Sequence, residues 1–175
     1  MKTVRPSTPN DYLDWLKLAK DVEPLFGPMV DDPIFRDGLR KAILEENAFC
    51  IAGRDSEGNG VFHGGIIISK RTNEILWLAV GRQSRGRGIG AALLSEAINR
   101  LDPARPITLT TFDQTVEAGA PARKLYQSFE FRDSVAAGLN PAGIPTISMI
   151  RMNREDLHDL RRISIKSPPT SAGAG

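Results

Sequence analysis

The feature that most constrains the fold is LAVGRQSRGRGIGAALLSEAI, residues 78–98. An apolar run leads straight into a loop holding Arg82, Arg85 and Arg87 with Gly86, Gly88 and Gly90, then into a helix-forming segment with no turn residue between. N–H groups at a helix start lack intrahelical partners and carry partial positive charge. A glycine-rich turn ahead of them lets the chain approach a phosphate closely. Neither common nucleotide loop matches. Gly90 is followed by Ala-Ala where a P-loop needs Lys-Ser or Lys-Thr, and the glycines run G-x-G-x-G instead of G-x-G-x-x-G. A tight strand-to-helix turn with a solvated basic rim is the plain alternative.

The surrounding periodicity fixes the element order. KTVRP reads as a short strand ended by Pro6. PNDYLDWLKLAKDV reads as a helix, with Tyr12, Trp15, Leu16 and Ala19 at helical spacing, and PIFRDGLRKAILEEN as a second. The Pro-rich EPLFGPMVDDP between them reads as a loop. Strands follow in NAFCIAGR, VFHGGIIISK and TNEILWLAV, the first two joined through the turn DSEGNG. Beyond the glycine loop and its helix come the strand ITLTTF, the helix GAPARKLYQSF, and the strands EFRDSVAA and PTISMIRMN. A short helix in NREDLHDLRRI closes a domain of residues 1–163, and residues 164–175 form a flexible tail. This is a mixed α/β (α+β) order with an antiparallel meander before the loop. This order argues against a Rossmann fold, which alternates strand and helix from its start.

The length suits one domain with its own core. A net charge of +2 gives no reason to expect nucleic acid or a membrane surface, and no aromatics interleave the loop arginines for stacking. MKTVRPSTPNDYLDW lacks an apolar signal core, and no run is long enough to span a bilayer. Cys50 is the single cysteine, which fits a reducing cytoplasm. His63 and Cys50 read as packed residues, and no ligand spacing supports a metal.

Arg85-Gly86-Arg87-Gly88-Ile89-Gly90, preceded by LAV and followed by AALL, resembles the R-x-x-G-x-G pyrophosphate loop of the GNAT N-acetyltransferases. The order of elements is similar to that family over most of the chain. A second segment, Gly119 to Phe131, partly resembles its N-x-x-A-x-x-x-Y-x-x-x-G-F pattern: Ala122, Tyr126 and Phe131 agree, while Gly119 replaces the asparagine and Glu130 the glycine. The resemblance implies a mostly antiparallel central sheet flanked by helices, and acetyl-CoA as acetyl donor. It implies that Leu78, Ala79 and Val80 offer backbone groups to pantetheine, and that N–H groups of Arg85, Gly86, Arg87, Gly88, Ile89 and Gly90 hold the pyrophosphate. Tyr126 stands where relatives carry the acid that protonates the departing thiolate. Glu74, eleven positions before Arg85, has the spacing of the general base of the histone-acetylating branch, acting through water. Strand alternation puts Glu74, Leu76, Leu78 and Val80 on one face. Where no such base exists, a water chain serves.

The acceptor expected is a small-molecule or peptide amine. Glu23, Asp31 and Asp32 beside the first inter-helix loop, and Asp113 and Glu117 after ITLTTF, are candidate lures for its positive charge; Glu23 and Asp113 are the foremost. A non-catalytic acyl-CoA sensor on the same fold is the alternative function. A homodimer through the last strands, with PTISMIRMN as the pairing segment, completes the expectations drawn from the resemblance.

Overall fold

The structure, a computed structural model, describes residues 3–54 and 57–153. The expected C-terminal helix, the tail and His158 lie outside the described residues, as do Asp55 and Ser56 of the hairpin turn.

The chain enters through β1 (Arg5–Pro6) and a 3-10 turn at Pro9–Asp11 that opens α1 (Tyr12–Phe26). Asp11 holds this corner. Its carboxylate accepts from Thr8 N at 2.7 Å and from the Arg5 guanidinium at 2.7 and 2.8 Å. The Arg5 partner draws the Asp11 pKa down to about 2. Helix α1 buries Trp15, Leu18, Ala19 and Val22 on one face. It runs one turn further than its composition suggests, through Pro24 to Phe26, and ends at Gly27, whose φ of 97° breaks the helix. Pro24 lacks an N–H to donate, a loss of one bond in the last turn that the packing of Val22 and Phe26 outweighs. Helix α2 (Pro33–Leu44) starts on Pro33 with Asp32 as its cap, accepting from Ile34 N at 2.9 Å.

The remaining elements are β2 (Ala48–Arg54), β3 (Gly60–Ser69), β4 (Glu74–Val80), α3 (Ile89–Arg100), β5 (Ile107–Phe112), α4 (Ala120–Ser128), β6 (Arg132–Leu139) and β7 (Pro145–Arg151). They form a seven-stranded sheet in the order β1-β2-β3-β4-β5-β7-β6, antiparallel throughout except at β4–β5. This is the mixed, mostly antiparallel sheet expected. On one face α3 and α4 bury Ile66, Leu93, Leu94, Tyr126 and Phe131; on the other α1 and α2 bury Trp15, Leu39, Cys50 and Trp77.

Two sequence expectations change. First, β7 lies between β5 and β6, with neighbours on both sides. PTISMIRMN therefore has no free edge for a second copy, and β6 is the outer strand. Second, β4 carries a bulge. Ile67 pairs with Trp77 and Ile68 with Ile75, so Leu76 has no partner on β3. The extra residue inverts the alternation. Ile75 joins the α3 side, while Trp77 and Ala79 join the α1 side and Leu78 and Val80 the α3 side. Glu74, next to Ile75, thus faces away from Leu78 and Val80 instead of sharing their face.

Asn73 ties the start of β4 to the α3–β5 connection. It is fully buried at φ 57°. Its Nδ2 donates to the carbonyls of Asp102, Arg105 and Pro106 at 3.0–3.2 Å, and its Oδ1 accepts from Asp102 N at 2.8 Å. Asn tolerates this left-handed backbone better than alanine does. Asn73→Ala leaves several buried backbone groups unpaired, and chemical denaturation should show a loss of about 2–4 kcal/mol.

Candidate functional site

The site begins where β4 and β5 part. Only Glu74 with Thr108 and Ile75 with Leu109 pair across these parallel strands. The bulge at Leu76 follows at once and bends β4 away. From Trp77 to Val80 the strand keeps β3 but has no strand partner on the β5 side. Leu76 is 54% exposed on an interior strand of the sheet, a consequence of this parting. The gap is a cleft of about 350 Å³ bordered by Leu78, Ala79 and Val80, by the glycine loop, and by Tyr126.

The loop is built for close approach. Arg82–Ser84 form a 3-10 turn, and Gly86 and Gly88 sit at φ 71° and 74° with open space where a Cβ would be. Such backbone angles favour glycine. Gly88 caps α3 in the left-handed region, so the first N–H groups of α3 face out of the helix beside the cleft. Arg85 Nε donates to Val80 O at 3.2 Å, and both residues line the cleft. The loop is braced from β3. His63, itself a bulge residue opposite Ile51 and Ala52, accepts at its carbonyl from Gly81 N at 2.9 Å. Its Nδ1 lies 2.8 Å from Ser84 Oγ. His63 is a buried bracing residue for the loop, and among the described residues no cluster of three metal-ligating side chains occurs.

Tyr126 reaches the cleft from α4, 6% exposed, its ring edge-on to Phe131 at 6.1 Å. Its hydroxyl has no hydrogen-bond partner among the described residues. Burial pushes the phenol well above its ordinary pKa of about 10. The phenol therefore keeps its proton through the neutral range.

The acidic candidates are placed elsewhere. Glu74 stands at the closed end of the gap and accepts from Thr72 Oγ1 at 3.3 Å. Four residues of strand, about 13 Å, separate it from Leu78. Glu23 caps its own loop: its carboxylate accepts from Met29 N and Val30 N at 3.0 and 2.8 Å and pairs with Lys20 at 2.7 Å. These bonds, Lys20 foremost, draw its pKa to about 2. Asp113 accepts from Thr115 N and Oγ1 at 2.9 and 2.8 Å, which lowers its pKa. None of the three lines the cleft.

Sequence reading missed Val22, Leu25 and Phe26 of α1, Phe112 at the end of β5, and Ala118, Pro121 and Leu125 in and before α4, all of which line the cleft. Val22, Leu25 and Phe26 continue the helical spacing of Leu18; Pro24 and Gly27 masked that signal.

A family model described as an acetyltransferase (GNAT) domain matches residues 27–152. No curated protein sequence matches the chain. Among solved structures, a GNAT-family acetyltransferase from Bacillus cereus aligns with TM-score 0.64 at 17% identity, over 87% of this chain and 98% of its own. NAA60 from Arabidopsis thaliana in complex with acetyl-CoA aligns with TM-score 0.64 at 15% identity, over 87% and 98%. Ard1 from Thermoplasma volcanium aligns with TM-score 0.64 at 18% identity, over 86% and 97%. These likenesses speak to the fold.

The two departures in the second motif have physical readings. Glu130 sits at φ 68°, the strained region where glycine would be at ease. At Gly119 a Cβ would stand 2.5 Å from Phe112 Cβ, too close for any side chain without movement. Gly119→Asn should therefore displace Phe112 and lower stability by about 1–3 kcal/mol in thermal or chemical denaturation.

Proposed function

The chain belongs to the GNAT acetyltransferase family, whose model spans residues 27–152, and from that premise we propose direct acetyl transfer from acetyl-CoA to the primary amine of an acceptor. One observation carries the proposal. A strand edge freed at Leu76 runs beside a positive-φ glycine loop at a helix start, with a protonated buried tyrosine across the gap. An extended ligand with amide groups and a pyrophosphate suits that combination. Leu78, Ala79 and Val80 would pair with its amides, and the N–H groups of residues 85–90 would hold its phosphates, with Arg85 and Arg87 adding charge.

Acetyl-CoA supplies a thioester carbonyl, at which the C–N bond forms as the C–S bond breaks. The backbone N–H of Val80 is the proposed oxyanion donor. Tyr126 gives its proton to the departing sulfur. The phenolate left in a buried wall is unfavourable, so Tyr126 is reprotonated as the amine's proton leaves through solvent. Glu74 is the proposed relay for that proton, acting through water along β4. Among the described residues no helix is long and apolar enough to cross a membrane. Cys50 is a buried free thiol, which suits the cytoplasm as the compartment.

Thermal unfolding with acetyl-CoA, ATP and NAD tests the donor. At 100-fold excess over its dissociation constant acetyl-CoA should stabilise by about 2.7 kcal/mol, a rise of several degrees that ATP and NAD do not give. Tyr126→Phe should keep that shift and lose about 10²–10⁴-fold in thiol release with amine. Unchanged turnover in Tyr126→Phe would remove the acid role, and no turnover in either form despite the shift would favour a sensor.

The same proposal extends to assembly. Strand β6 is exposed at every residue, with Val135 and Leu139 outward, and among the described residues no strand pairs with its outer edge. Two copies would join edge to edge about a two-fold axis. Sedimentation should show a dimer that Val135→Lys dissociates; a monomeric wild type would refute it.

A further inference from the structure

The cleft passes from one face of the sheet to the other. On the α3 side lie the glycine loop and Tyr126. Its far end meets the last turn of α1, where Val22, Leu25 and Phe26 face Phe112. These four side chains carry no charge.

The wall is fixed. Phe26 meets Phe112 edge-on at 5.3 Å and lies 6.2 Å from Trp77, which lies 5.5 Å from Trp15. The wall is thus the outer end of an aromatic chain rooted in the core. Gly119 leaves the room that the Phe112 ring fills. Asn140 Nδ2 donates to Leu25 O at 2.7 Å, and Pro141 packs where a Cβ on Gly27 would lie. The β6–β7 turn therefore docks on the end of α1 and holds it in place.

Among the described residues, no carboxylate lines this end of the cleft. Glu23, Asp32 and Asp113 bind backbone groups of their own loops, and among the described residues no acidic one lines the cleft. Arg85, at the loop end, is the charged residue in the lining among the described residues. A second cationic group on the acceptor would lose its water against this wall and gain no partner.

Resting on the acetyl-transfer reading, we infer that the acceptor is a primary amine with a bulky apolar substituent beside the nitrogen. Polyamines and aminoglycosides do not fit. The apolar group seats against Leu25, Phe26 and Phe112, and the amine points through the gap toward Leu78 and Tyr126. The amine nitrogen bonds to the acetyl carbon, the thiol leaves with a proton from Tyr126, and the amine's proton passes to solvent.

The test uses the full-length protein with acetyl-CoA and follows thiol release. The acceptors are phenethylamine, a tetrapeptide amide beginning with phenylalanine, spermidine and kanamycin. The expected result is a kcat/KM at least about tenfold higher for one of the apolar amines than for either polycation. Which apolar amine leads separates a free amine from a peptide N-terminus as its source. Leu25→Glu should move the ratio toward spermidine; Leu25→Ala, the milder change, should lower kcat/KM for the apolar amine through KM. A polycation preferred by the wild type overturns the inference. So does an acetyl-CoA thermal shift with no turnover of either apolar amine. Absence of the acetyl-CoA shift overturns the donor reading itself, and the acceptor inference with it.

Discussion

The structure depends on two parallel strands that pair for two residues and then part. At the closed end Asn73 bonds four backbone groups of the α3–β5 connection and pins β4 to β5. At Leu76 the bulge turns β4 aside. Beyond it, Phe26 and Phe112 on one face and α4 on the other occupy the widening gap. This edge of β4 has no strand partner, with Arg85 taking the Val80 carbonyl, and backbone N–H and C=O groups at such an edge suit a polar, extended ligand. The fold therefore builds a binding demand into its own backbone. That demand sits beside a helix start whose N–H groups also lack partners.

The loop that joins these two demands is anchored more than its glycines imply. Gly86 and Gly88 give it its shape, while β3 sets its position. The His63 carbonyl holds Gly81, and the His63 ring reaches Ser84 one residue before Arg85. His63 can do this because it is the extra residue of a bulge, turned out of register from its neighbours. Bulges thus place both walls of the cleft: one aims His63 at the loop, the other parts β4 from β5.

Much of this was legible in the sequence. Strand and helix periods gave the element order, and the spacing R-x-x-G-x-G with Tyr126 gave the family. What stayed hidden depends on tertiary choices. Pro24 disguised the last turn of α1, because proline near a helix end is tolerated when the flanking Val22 and Phe26 are packed. The parity of Glu74 was misread because a bulge of one residue leaves no mark in an apolar run such as EILWLAV. The spatial order β5-β7-β6 is not set by chain order, so the sequence does not tell which of the last two strands is the outer one. Glu23 and Asp113 looked like lures because a loop carboxylate bonded to nearby N–H groups has the same sequence appearance as a free one.

The bulge also bears on how an amine acceptor would lose its proton in the proposed reaction. It puts Glu74 on the face of the sheet that carries Trp77 and Ala79, the α1 side, where Phe26 also packs. Four residues of strand still separate Glu74 from Leu78, about 13 Å, so contact with an amine at the gap is out of reach and water must intervene. An apolar wall changes what such a base has to do. An ammonium group entering a site without a carboxylate loses hydration and gains nothing in return, so its pKa falls and the neutral amine is the form that settles. Desolvation then does part of the deprotonation before any side chain acts. In the proposed reaction a distant carboxylate reached through water would supply the remainder, which fits the position of Glu74 to a cleft lined by no carboxylate among the described residues.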